Sequence, residues 1–180
     1  MAFRWCSYDV PFWPRPNSRP GRWHRAGEPP TQYWALSPQA AWAELLRAEG
    51  LRTEADVTLV EMPLWTCRAP STGLVDLREP EGQAAAGIGP DDLVSDDWSA
   101  CQDAGGRMRK AARGLIAPSA ALPGHWSLVL FGGRRAIDWP ARPALASAVP
   151  ATVAAIGRPH TGLVSQVRHR TDDRPQTPLF

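Results

Sequence analysis

Gly21-Arg22-Trp23-His24, then Thr31-Gln32-Tyr33-Trp34-Ala35-Leu36-Ser37-Pro38, then Ala43-Glu44-Leu45 running on to Gly50, is the stretch around which the chain is organised. Gly21 to Trp23 reads as a turn into an extended piece, and Gln32 to Leu36 as a short strand. Ser37 can accept a hydrogen bond from the first unpaired amides of a helix, Pro38 suits its first turn and Gly50 its end. On that helix Glu44 shares a face with Ala40, Ala41, Ala48 and Leu51, while Gln39, Arg47 and Glu49 are expected to face solvent. A carboxylate on a small apolar face is costly unless another group pairs with it or uses it. Arg22 is the candidate partner, either in a structural ion pair or across a site.

Outward from this stretch, Phe3 to Tyr8 reads as a strand before a proline-rich loop through Pro20. Asp56 to Met62 reads as a strand from its β-branched content. A loop with one short strand near Leu74 to Leu77 is expected over residues 68–90. Asp91 to Ala104 reads as a helix with acids in its first turn. A Gly-Gly break follows, then a basic helical piece from Arg107 to Arg113. Gly114 to Ser119 is a buried strand entering a turn, and His125 to Phe131 an apolar strand. A hairpin turn at Gly132-Gly133-Arg134 leads into Arg135 to Trp139. Ala144 to Ile156 reads as a helix interrupted at Pro150, and Gly162 to Arg168 as a last strand. This order predicts one α+β domain over residues 1–168, with short mixed β-sheets and flanking helices, and a flexible C-terminal tail over 169–180.

The bulk properties narrow the function classes. A chain of 180 residues, 43% hydrophobic and with nine tryptophans, is expected to fold around a core, although nineteen prolines imply many loops. No apolar run approaches the roughly 20 residues of a membrane span, and Met-Ala-Phe-Arg-Trp-Cys lacks a signal peptide's apolar core, so a cytoplasmic protein is expected. Cys6, Cys67 and Cys101 form no Cys-x-x-Cys pair, and His24, His125, His160 and His169 have no metal-ligand spacing; neither a disulfide framework nor a metal is expected. Charge is unevenly spread: +4 over residues 1–26, −10 over 27–103 and +8 over 104–180. Two basic ends around an acidic middle either assemble a cationic site for an anionic ligand or neutralise each other in the fold.

Three common chemistries fit poorly. Ser119 follows a strand, but no Gly-x-Ser-x-Gly elbow surrounds it, and a triad with His125 and Asp138 has no sequence support. Glu44 with Glu49 or Glu61 could form a glycosidase-type carboxylate pair, although separation along the chain does not fix separation in space. Arginine–tryptophan interleaving at Arg4-Trp5 and Arg22-Trp23-His24-Arg25 could hold single-stranded nucleic acid. The acidic middle would repel a long polyanion, which argues against that reading.

Taken together, Gly-Arg-Trp-His at 21–24, Tyr33, Ala43-Glu44-Leu45, Trp98 and Gly-Leu-Ile-Ala-Pro-Ser-Ala-Ala at 114–121 follow an order that resembles the RES domain family, over about Phe3 to Trp139. The resemblance implies an ADP-ribosyltransferase-like fold and a toxin of a toxin–antitoxin pair that depletes NAD by hydrolysis or phosphorolysis. NAD is then a substrate, and no cofactor is implied. Arg22, Glu44 and Ser119 become the three residues for which the family is named, with Tyr33 and His24 as substrate-binding neighbours; His24 stands where the family commonly has asparagine. In these roles Arg22 grips the pyrophosphate, Glu44 stabilises positive charge on the ribose, Tyr33 stacks on a base and Ser119 holds a polar group of the substrate.

Two alternatives stay open: a protein ADP-ribosyltransferase using the same site, and a non-catalytic NAD-binding module. The resemblance also implies an antitoxin partner with a helix-turn-helix domain, and exposed tryptophans would suit a homodimer or an inhibitor interface.

Overall fold

The computed structural model describes residues 1–7, 11–13, 15–68, 72–133, 141–143 and 156–171. The strands are β1 (Ala2–Trp5), β2 (Thr31–Ala35), β3 (Met62–Cys67), β4 (Leu74–Asp76), β5 (Gly114–Pro118), β6 (Trp126–Phe131), β7 (Ala141–Pro143) and β8 (Ile156–Gly157). Among the described residues they form one sheet in the order β4-β5-β6-β2-β1-β3-β7, with β8 also on β3. β4 and β5 run parallel and the other pairs antiparallel. The helices are α1 (Pro38–Glu49), α2 (Glu54–Thr58), α3 (Pro80–Ala86), α4 (Pro90–Val94) and α5 (Ser99–Met108). The expected α+β class holds, with one continuous mixed sheet in place of several short ones.

Strand register decides which residues share a face. Phe3 pairs with Ala35, Ala35 with Ser127, and Ser127 with Ala117, so these four project to the same side, as do Tyr33, Val129 and Leu115 one step along. That side carries two separate apolar clusters. One gathers Phe3, Ala35 and Leu64 with Ala41, Leu45 and Leu46 of α1, together with Leu163 and Val164. The other gathers Leu115, Ala117, Val129 and Phe131 with Leu93 of α4 and Cys101, Ala104 and Met108 of α5. The opposite face holds a third cluster around Trp34, Trp65, Leu128 and Leu130.

α1 forms as its sequence dictates. Ser37 Oγ accepts from the Ala40 amide at 3.2 Å, Pro38 opens the first turn, and Gly50 ends the helix with φ 67. Arg47 departs from expectation. It is buried, and its guanidinium donates to the Ala120 carbonyl at 2.8 Å and also binds the Arg168 carbonyl and Asp96.

Other departures have local causes. Residues 54–58 are helical, because Thr53 Oγ1 accepts from the Asp56 amide and Asp56 Oδ2 from the Thr53 amide; this capping box overrides the β-branched content, and the strand begins at Met62. The long acidic helix is two helices, since Ser95 Oγ and Asp97 Oδ1 accept from the Asp97 and Ser99 amides and turn the chain between α4 and α5. Gly105-Gly106 does not break α5. A Cβ on Gly105 would lie 2.4 Å from the Trp23 carbonyl oxygen, so the glycine admits a close approach. Residues 80–86, expected as loop, form α3, opened by Pro80 and ended by Gly87 at φ 62.

Residues 162–168 turn and enter a 3-10 helix (Val164–Gln166) rather than a strand, with Leu163, Val164 and Val167 buried together at helical spacing. Residues 168–171 lie against the body through Arg47, through Arg52, which donates to the Arg170 carbonyl at 3.0 Å, and through Asp96, which accepts from the Thr171 amide at 3.2 Å. Part of the first strand's expected end, the arm at 135–139 and the helix over 144–155 lie outside the described residues.

Candidate functional site

The two clusters on the α1 side of the sheet leave a strip between them, and polar groups occupy it. Its floor is the row Ala35–Ser127–Ala117, three small side chains side by side on β2, β6 and β5. Glu44 of α1 faces this row, and its Oε1 accepts a 2.6 Å hydrogen bond from the Ser127 hydroxyl. Burial pushes the Glu44 carboxyl up to about 7, against the opposing pull of the Ser127 bond and the Arg22, Arg4 and Arg47 charges. Ser127 has no candidate role in the sequence. Its signal is there in retrospect, as the one polar inward position, alternating with Val129 and Phe131, of an apolar strand.

Arg22 arrives from a tight turn closed by reciprocal Gly21 and His24 backbone bonds of 3.0 and 3.4 Å. Tyr33, on β2, holds this turn in place. Its hydroxyl accepts from the Trp23 amide at 2.9 Å and lies 2.7 Å from His24 Nδ1. His24 Nε2 is 2.9 Å from the Arg19 carbonyl, which can only accept. The imidazole therefore carries its proton on Nε2, and the tyrosine donates to Nδ1. Burial lowers the His24 pKa and raises that of Tyr33, consistent with two neutral groups. Gly21 is required here, as a Cβ would sit 2.5 Å from His24 Cε1. Gln102 of α5 adds a 3.0 Å bond to the Gly21 carbonyl.

The turn aims Arg22 at the end of α4, where Nη1 donates to the Ser95 carbonyl at 2.6 Å and the Leu93 carbonyl at 3.3 Å. Its Cζ lies 5.9 Å from the centre of the Trp98 ring. Among the described residues no Arg22–Glu44 ion pair forms: the carboxyl goes to Ser127 and the guanidinium to carbonyls, while each lies within the other's field. That removes the simplest structural explanation for the pair.

Ser119 follows β5 just beyond Ala117 and is buried. Its Oγ accepts from the Ala121 and Leu122 amides at 3.3 and 3.2 Å, which shapes the 119–125 loop and leaves its proton to be donated. Arg47, one turn along α1 from Glu44, fixes the neighbouring Ala120 carbonyl, so the loop lies at the α1 side of the strip. His125 bonds Ser37 Oγ at 2.7 Å and takes no part in a Ser119 triad. Among the described residues no cluster of three or more histidine, cysteine or acidic side chains is arranged to hold a metal ion, and no helix is long and apolar enough to cross a membrane.

Fold and site together define an α+β protein with a buried acid and a guanidinium set on one sheet face. The chain belongs to the RES domain family, whose model matches residues 2–152. It is 33% identical over 117 residues to the "Probable NAD(+) phosphorylase Rv3189" of Mycobacterium tuberculosis, an alignment covering 64% of this chain and 55% of that protein. It is also 33% identical over 87 residues to the NAD(+) phosphorylase MbcT of Mycobacterium bovis, covering 47% of each. The chain thus spans about half the length of the curated relatives it matches. Its fold is similar to that in the crystal structure of the M. tuberculosis MbcT–MbcA toxin–antitoxin complex, with a TM-score of 0.63, 24% identity, and coverage of 79% of this chain and 82% of that one.

Proposed function

We propose that this chain consumes NAD by breaking the bond between nicotinamide and ribose and passing the ADP-ribosyl group to phosphate or water. The observation that carries the reading is the buried Glu44 carboxyl, bonded to Ser127 over a floor of small side chains, within the field of Arg22. Nicotinamide departs as a neutral molecule with the electron pair of the C–N bond. The ribose carbon it leaves becomes cationic and then takes an oxygen from the acceptor. A fixed carboxylate beside the ribose stabilises that cation more than the ground state. Glu44 is poised for this, since the positive nicotinamide ring of the substrate favours its ionised form.

In this reading Arg22 holds the pyrophosphate with the N–H groups its carbonyl bonds do not use. Tyr33 offers a ring face for stacking, its hydroxyl being committed to the turn, and Ser119 donates its proton to the substrate. His24 braces Tyr33 and is no base. Relatives named NAD(+) phosphorylases favour phosphate as the acceptor. The same reading places the protein in the cytoplasm, under an antitoxin with a helix-turn-helix domain, and allows a homodimer.

The test is release of nicotinamide from NAD by the purified chain, with and without phosphate, using label in the ADP-ribose half. Wild type is expected to release nicotinamide faster with phosphate, and Glu44→Gln to slow release about 100-fold or more. Undiminished release by Glu44→Gln removes Glu44 from the chemistry, and label retained on protein converts the reading to protein ADP-ribosylation.

A further inference from the structure

Arg47 has no part in the chemistry above, yet its bonds run to the places from which that chemistry draws its groups. It lies one turn beyond Glu44 on α1, and its side chain is buried. Nη1 donates at 2.8 Å to the carbonyl of Ala120, the residue after Ser119, and also to the Arg168 carbonyl. Nη2 pairs with Asp96, the residue after Ser95, whose carbonyl accepts from Arg22 at 2.6 Å. The other carboxylate oxygen of Asp96 accepts from the amide and hydroxyl of Thr171, at 3.2 and 3.3 Å. Arg168 and Thr171 lie beyond residue 152, where the family match ends. Burial lowers the Arg47 pKa to about 10, against the opposing pull of Asp96. A guanidinium kept inside at that cost is offset by acceptors 49, 73 and 121 residues away in the chain. Two nitrogens in a fixed planar fork meet all of them, which a single ammonium nitrogen does not.

We propose that Arg47 is a positioning residue for NAD cleavage: its guanidinium locks the helix that carries Glu44, the loop that carries Ser119 and the turn that receives Arg22 into one arrangement. The proposal rests on the NAD-consuming reading for the roles of those three residues. Arg47 acts on Ser119 through the Ala120 carbonyl and on Arg22 through Asp96 and the Ser95 carbonyl. On Glu44 it acts through the shared helix and through its charge. Burial and the positive groups around that carboxyl oppose each other: Arg22 from the turn, Arg4 from β1 and Arg47 from α1 favour the ionised form, as does the Ser127 hydroxyl of β6. Geometry and charge are separable here, since lysine keeps the charge and loses the fork.

The experiment measures kcat and KM for nicotinamide release from NAD by the full chain, across the acidic limb of the pH profile. The proteins compared are wild type, Arg47→Lys, Arg47→Met, Asp96→Ala and Val57→Ala, at a temperature where circular dichroism shows them folded. Val57→Ala removes apolar volume from the cluster that packs α1 and none of these bonds, so it reports loss of stability alone. Arg47→Lys is expected to lose about tenfold or more in kcat with its acidic limb unmoved. Arg47→Met is expected to lose at least as much, with the limb moved to higher pH because a charge favouring ionised Glu44 is gone. Asp96→Ala cuts the tie to the Arg22 turn and leaves the Ala120 bond, so it is expected to raise KM more than it lowers kcat. Wild-type kcat in Arg47→Lys overturns the lock, as do wild-type kinetics in Asp96→Ala or an equal loss in Val57→Ala. Should Arg47→Met not fold, the lysine and Asp96 variants decide. Should wild type release no nicotinamide, the NAD-consuming reading falls, and hydrogen exchange tests the lock by itself. The Ala121 and Leu122 amides, held by Ser119 Oγ, are expected to exchange about tenfold faster in Arg47→Lys than in Val57→Ala, and equal rates overturn it.

Discussion

At the residue scale, the informative bond is the one between Ser127 and Glu44. A hydroxyl donating to a buried carboxylate stabilises its charged form, so its loss raises the pKa of an acid already held near 7. If ionised Glu44 is the working form, Ser127→Ala moves the acidic limb of the pH profile of kcat/KM to higher pH, with activity at pH 7 falling and recovering in alkaline buffer. A profile that keeps its midpoint would separate Ser127 from the chemistry. Tyr33 was legible as a candidate, but the bonds its hydroxyl makes were not. Sequence spacing cannot show that a phenol is spent on the Trp23 amide and His24, since both contacts exist only once the turn has closed.

At the element scale, α1 was readable almost to the residue, because Ser37, Pro38 and Gly50 are local signals that need no tertiary information. The same local logic explains the failures. Thr53 and Asp56 carry a capping signal outweighed in the reading by Val57, Thr58 and Val60, and Ser95-Asp96-Asp97 carries one hidden by helix-favouring acids. Arg47 was misplaced for a different reason: its partners are 49 to 121 residues away, so no periodicity reports them. Gly105 joins α5 to the Arg22 turn through a contact that tolerates no side chain. Gly105→Ala is expected to cost about 1–3 kcal/mol in urea unfolding and, if Arg22 holds NAD as proposed, to raise the KM for NAD, since the displaced turn carries Arg22. The opposite result, a stabilised helix with unchanged KM, would show that the turn yields freely.

For the whole molecule, the uneven charge proves to do two things. Arg25 pairs with Asp103, Arg109 with Glu28 and Arg158 with Glu61, so basic ends and acidic middle neutralise each other over part of the surface. Arg22 is instead directed to backbone carbonyls beside the strip. Glu44 makes the whole fold sensitive to pH. Its pKa is higher folded than unfolded, so between about 4.5 and about 7 the native state binds more protons than the unfolded chain. This contribution to stability is therefore present at acid pH and lost as pH rises through 7. Melting at pH 5 and pH 8 should show Glu44→Gln gaining on wild type at pH 8. An equal difference at both pH values would mean that Glu44 does not titrate in this window.

The strand order has a consequence for how the protein comes into being. β6 lies between β2 and β5 in space, yet it is encoded after both, and it brings the hydroxyl that Glu44 needs. A nascent chain emerging from the ribosome can build α1 early, but its acid has no floor and no donor until the residues up to Phe131 have left the exit tunnel. On the NAD-consuming reading proposed above, prematurely terminated products that stop short of that strand are expected to release no nicotinamide from NAD, whatever their concentration.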